Sequence, residues 1–93
     1  MDFALHVTYS EEQQQFRQEV RAWLEESIPE EMKTPVSFHD YTLEMHLFRC
    51  KKADEMGERG WLYPTHPKEY GGGGLTVDHA IIIDEELQRA RFD

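Results

Sequence analysis

Residues 67–74 read P-K-E-Y-G-G-G-G, and they hold four of the six glycines in the chain. What this run does decides the fold. Ordering glycine is costly in backbone entropy, so four in a row mark either a loop that wraps an anion or a place where the chain reverses sharply. A P-loop needs Lys and then Ser or Thr after its last glycine, and a dinucleotide fold needs G-x-G-x-x-G behind a buried strand. Here Leu75 and Thr76 follow, Glu69 precedes, and no strand pattern leads in. An anion site at the start of the next helix is the functional alternative. The residues favour a sharp reversal where two backbone segments pass closely.

Helical patterns lie on both sides of the run. Upstream, Ser10 and Gln13 have the spacing of a capping box, and Glu11 and Glu12 fall in the first turn, where the helix dipole favours acids. Phe16, Val20, Trp23 and Leu24 then form one apolar stripe until Pro29 stops it, which predicts a helix over about 10–28. Residues 29–37 hold two prolines and no period, and so read as a connector. A second helix is predicted over about 40–59. Tyr41, Met45, Phe48 and Met56 lie on one side of it, while Leu43, Leu47 and Cys50 lie on the other. Gly57 weakens its last turn, and Gly60 is placed to end it in a left-handed conformation. After the glycines, Thr76 can cap a third helix over about 76–91, with Asp78 in its first turn. Val77, Ala80, Ile83, Leu87 and Ala90 would share its buried face, and Ile82 would be left against solvent. A short strand at 80–83 competes, because consecutive isoleucines suit strands, but E-E-L-Q-R-A-R favours helix.

The fold class read from this pattern is all-α, a three-helix antiparallel arrangement occupying residues 1–93 as one partial domain. The second helix has an apolar side to spare. Arg91-Phe92-Asp93 carries no stop signal, and a terminal acid opposes the helix dipole. The expectation is therefore an incomplete fold, one piece of a larger folded unit.

Composition narrows the function classes. Two Trp, five Phe and four Tyr in 93 residues argue for a folded chain. A net charge of −9 repels phosphate backbones and anionic bilayers, which excludes the usual nucleic-acid and membrane-surface binders. No apolar run is long enough to span a bilayer, and MDFALHVTYS at the N-terminus lacks the pattern of a secretory signal. With Cys50 as the only cysteine, no internal disulfide can form. A cytoplasmic, soluble location is expected.

Chemistry-bearing constellations are thin. His46 and Cys50 stand four apart on one helix, a spacing that suits two metal ligands, yet a structural zinc needs four and no matching pair occurs. A half-buried thiol beside an exposed imidazole is the simpler reading. The acid pairs Glu11-Glu12, Glu25-Glu26, Glu30-Glu31 and Glu85-Glu86 point about 100° apart on a helix, so they do not converge as an acid–base couple. Glu85 and Glu86 have the i,i+4 and i,i+3 spacing to pair with Arg89. Ser10, Ser27 and Ser37 lack a neighbouring base, and the aromatic residues sit at core spacings rather than on a basic platform for bases. The expected sets of catalytic, cofactor-binding and metal-ligating residues are each none.

Taken together, Gly60, Trp61, Pro64, Pro67, Glu69, Tyr70, Gly71, Gly72 and Gly74, followed by Glu85, Glu86, Leu87 and Arg89, resemble the N-terminal region of the acyl-CoA dehydrogenase family. The opening S-E-E-Q-Q-Q-F-R-Q-E-V-R-A-W-L-E-E resembles that family's first helix, so the likeness covers about residues 8–91. The resemblance implies an N-terminal helical domain, a β-domain and a C-terminal helical bundle, with FAD between the latter two and against a neighbouring subunit. It implies oxidation of acyl-CoA thioesters to 2,3-enoyl-CoA by a glutamate base and the flavin, in dimers or tetramers that pass electrons to an electron-transferring flavoprotein. None of the base, flavin or CoA contacts maps onto a residue here. Gly73 stands where family members often carry a side chain, which suggests a looser loop. The resemblance thus implies a structural packing role, without FAD binding or activity by this chain alone. The alternative is a free-standing small helical protein-interaction module.

Overall fold

A computed structural model of the protein describes residues 10–35 and 37–92. The reading of the N-terminal residues as no secretory signal falls on positions 1–9, outside the described residues. Among the described residues there are three α-helices and no strand: α1 over Glu11–Ser27, α2 over Leu43–Arg59 and α3 over Val77–Arg89. The isoleucine run is helical, so the competing strand does not form.

Caps set most of these limits. Gln13 N–H donates to the Ser10 hydroxyl, and the Gln13 side chain accepts from the Ser10 N–H at 2.9 Å, which completes the capping box of α1. Thr42 caps α2 through Met45 N–H. It starts that helix three residues later than the sequence suggests, because Phe38–Asp40 forms a separate 3-10 turn capped by Ser37. Gly60, at φ 79°, closes α2 in the left-handed region.

α3 ends earlier than expected, and it does have a terminator. Arg91 adopts φ 55°, Phe92 N–H donates to the Leu87 carbonyl, and Arg91 N–H donates to that of Gln88. This is a Schellman ending with arginine where glycine is usual. Phe92 then turns back into the core at 5% exposure.

α1 and α3 run parallel, α2 runs back between their far ends, and the main helix pair is α1 with α3. Their seam is a ladder: the Gln13 amide donates to Asp78 at 3.1 Å, Arg17 pairs with Glu85 and Glu86, and Arg21 pairs with Glu86. Val20, Trp23, Leu24, Ile28, Met56, Trp61, Ile83 and Phe92 form the apolar cluster beneath it. Two expectations fail here for one reason. Ile82 is fully buried at 0% exposure, whereas Val77 is 65% exposed and Ile81 43%. The buried face of α3 is turned toward Ile82 and Glu86 because Glu86 is neutralised by two arginines and can enter the seam.

α2 joins this pair through cations lying over rings. The Lys52 ammonium lies 5.2 Å from the Phe48 ring centre and 5.9 Å from that of Trp23. The Arg59 guanidinium covers Trp23 and Trp61, and that of Arg49 lies 4.7 Å above Phe92. Such contacts are worth about 0.5–2 kcal/mol each, more when desolvated. Lys52 is buried while Leu43 and Leu47 are exposed, so α2 presents its cationic side inward and its leucine side outward.

Candidate functional site

Four places in this fold hold residues able to do chemistry or bind. The glycine run comes first. Gly71 N–H donates to the Lys68 carbonyl, Gly72 to Pro67, Gly73 to Tyr63 and Gly74 to His66, and the Leu75 amide donates to Pro64. Every amide that an anion would need is spent inside the loop. A Cβ on Gly73 would run into the Gly60 carbonyl oxygen, and one on Gly60 would come within 2.8 Å of the Gly73 Cα. The run is therefore a close crossing of two backbones, as its flanking residues suggested. Gly73 is buried and sits at the tightest point of the loop; the expectation that it loosens the loop is overturned by that crossing.

The second place is the carboxylate of Glu86, at 1% exposure. It accepts from Arg21 Nε at 2.8 Å and from Arg17 Nη1 at 2.7 Å. The hydrogen bonds from Arg21, more than those from Arg17, hold its carboxyl below the ordinary range against the opposing effect of burial. Glu85 pairs with Arg17, and Arg89 reaches Glu25 only at 3.9 Å. The expected pairing of Glu85 and Glu86 with Arg89 is thus replaced by pairs between helices. The signal that sequence reading missed is the arginine spacing on α1: Arg17 and Arg21 are one turn apart beside the apolar stripe. Below this seam a cleft of about 410 Å³ is lined by Arg21, Lys33 and Arg89 over a floor of Leu24, Ile28 and Ala90. Arg21 meets Glu86, Lys33 meets Glu30 and Arg89 reaches Glu25, so its cations are engaged with the protein's own acids.

Third, His46 and Cys50 stand one turn apart on α2, and Tyr41, just before the helix, reaches His46. The tyrosine hydroxyl is 3.4 Å from His46 Nδ1, and Cys50 Sγ is 3.7 Å from Nε2. The thiol is exposed rather than half-buried. Among the described residues no group of three or more His, Cys, Asp or Glu converges as metal ligands. Ser10 and Ser37 serve as helix caps.

The fourth place is apolar. Two adjoining hollows of about 250 and 210 Å³ share Met56, Leu62 and Leu87 between α2 and α3. Phe38, Leu43 and Leu47 lie exposed along the other side of α2. Among the described residues, no helix is long and apolar enough to cross a membrane.

The family described as "Acyl-CoA dehydrogenase, N-terminal domain" matches residues 10–93. The chain belongs to that family. Comparison with curated proteins and with solved structures returns no match. In this acyl-CoA dehydrogenase N-terminal domain the residues that carried the family likeness divide by role. Gly60 makes the crossing with Gly73, Gly72 passes close to the His66 backbone, and Gly71 and Gly74 take left-handed backbone; Trp61 is core, and Glu86 locks α3 to α1.

Proposed function

We propose that this chain is the N-terminal helical part of an FAD-dependent acyl-CoA dehydrogenase, and that its role is to pack rather than to react. The family match over residues 10–93 carries this reading. The complete enzyme would oxidise an acyl-CoA thioester to the 2,3-enoyl-CoA in the cytoplasm, as a dimer or tetramer serving an electron-transferring flavoprotein. The flavin does not fit the residues present here. A pyrophosphate needs free amides or a helix start; the glycine amides are spent internally, and each helix start is capped and flanked by acids. FAD would therefore rest on the other parts of the enzyme, and this chain alone would neither hold it nor oxidise a thioester.

The test is direct. The purified 93-residue protein is expected to show no stoichiometric flavin absorbance and no acyl-CoA-dependent reduction of an artificial electron acceptor. Flavin retained mole for mole would overturn the packing role. The second reading, a free-standing interaction module, is favoured by one observation: Ile82 and the α1–α3 core close without outside help. A cooperative melt of the isolated chain supports that reading, and molten behaviour supports the dependent domain.

A further inference from the structure

On α2, Leu43, Leu47, Asp54 and Glu58 follow one another at spacings of four, seven and four residues. At the pitch of an α-helix this places them within about 60° of one another around the axis. All four are exposed, and none of the ion pairs among the described residues engages Asp54 or Glu58. The stripe is therefore apolar in its first half and acidic in its second. Glu44 adds a third acid at its edge, with Lys51 as an exposed cation beside it. The Arg59 guanidinium is held over the rings of Trp23 and Trp61.

We propose that this stripe is a docking seam for a helix of another protein, one that carries two apolar residues and then lysines or arginines along its facing side. Such a helix, laid along α2, covers the two leucines with its own apolar residues, as amphipathic helices do when they dock. Its cations meet Asp54 and Glu58, whereas acids at the same places would be repelled.

The sign of the charge is what selects this occupant over a second copy of the chain. Two α2 stripes side by side in parallel set Asp54 against Asp54 and Glu58 against Glu58. With full antiparallel overlap, Leu43 faces Glu58 and Leu47 faces Asp54. Matching only the leucines covers about one turn of each helix and leaves both acidic halves unpaired. Each copy also carries a net charge of −9, which opposes self-association. The same charge disfavours an anionic bilayer as the cover. Cys50 is exposed in the middle of the stripe, three residues after Leu47 and four before Asp54, so its thiol reports whether the seam is covered.

The experiment uses the full chain and a labelled synthetic helical peptide with leucine at i and i+4 and lysine at i+11 and i+15. A second peptide has glutamate at both lysine positions. Binding is followed by fluorescence anisotropy under reducing conditions. Leu43→Ser with Leu47→Ser in the chain should weaken the lysine peptide about tenfold, through lost apolar burial. Asp54→Lys with Glu58→Lys should weaken it about tenfold and strengthen the glutamate peptide by a similar factor, a reversal that general stickiness does not produce. The lysine peptide should also slow alkylation of Cys50 by iodoacetamide in proportion to the fraction bound. All four substitutions fall at exposed positions, so melting curves should stay close to wild type. No saturable binding of the lysine peptide, equal binding of the two peptides, or binding indifferent to either pair of substitutions overturns the proposal, whether the chain is folded or molten. A wild-type dimer that the serine variant loses also overturns it, in favour of a second copy. None of these outcomes depends on whether the chain serves a dehydrogenase.

Discussion

At Gly60 and Gly73 two backbone strings cross with no room for a methyl group, and neither string has a side chain that can move aside. Gly71, two residues before Gly73, differs: it has φ 85° and nothing within 4 Å of a Cβ. The two positions separate two uses of glycine, close approach and left-handed backbone. Gly71→Ala should cost about 1 kcal/mol, the strain of a left-handed L-residue. Gly73→Ala should cost about 3 kcal/mol, because the overlap is with backbone and can be relieved only by opening the crossing. Urea midpoints of the two variants give the order. Equal costs would mean that the loop opens freely and that close approach is not what position 73 requires.

The α1–α3 pair shows which parts of an element can be read from sequence and which cannot. Caps were legible because they are local: Ser10 with Gln13, Thr76 at the start of α3 and Gly60 at the end of α2 each act within a few residues. The buried face of α3 was not, because it depends on residues 65 and 69 positions away. Glu86 looks like a surface acid until Arg21 and Arg17 meet it, and burying Glu86 turns Ile82 inward and Val77 outward. The ending at Arg91 was hidden as well, since a left-handed arginine leaves no compositional trace. As for the candidate site, the internal use of the glycines was readable from the residues on either side. The Tyr41–His46–Cys50 contacts were visible only as a His–Cys spacing. Glu86 also sets an acid limit. Its carboxyl is held below the ordinary value in the folded chain, so its contribution is complete above the unfolded carboxylate range and is lost as pH falls through the lower folded value. Stability should decline from about pH 4.5 downward. Glu86→Gln should flatten that decline and cost about 1–3 kcal/mol at pH 7, less than a fully buried pair because Arg17 and Arg21 reach solvent. Denaturant titrations at pH 7 and pH 4 measure both effects, and an acid limb unchanged in the variant would assign it to other carboxylates.

Over the whole molecule the decisive feature is that α2 meets the other two helices through Met56, Phe48 and its cations, on one side only. The radius of gyration is 14.7 Å, against about 12 Å for a close-packed chain of this length. The smallest extent is 21 Å, about two helix diameters, so the molecule is a slab. A slab gives each helix one inner side, and the outer side of α2 carries Leu43 at 72% and Leu47 at 59% exposure. The surplus of apolar surface inferred from the sequence thus resolves unevenly. Ile82 found its cover in α1, and the leucines of α2 found none among the described residues. Side chains this exposed contribute little to holding the described fold together. Replacing Leu43 and Leu47 together by Ser should therefore change the urea midpoint by no more than about 0.5 kcal/mol in stability. It should also lower binding of a hydrophobic dye and any self-association at high concentration, because the exposed patch is what drives both. A loss of more than about 1 kcal/mol, well beyond a surface change, would show that the leucines pack against this chain in solution and that the slab is closed on that side.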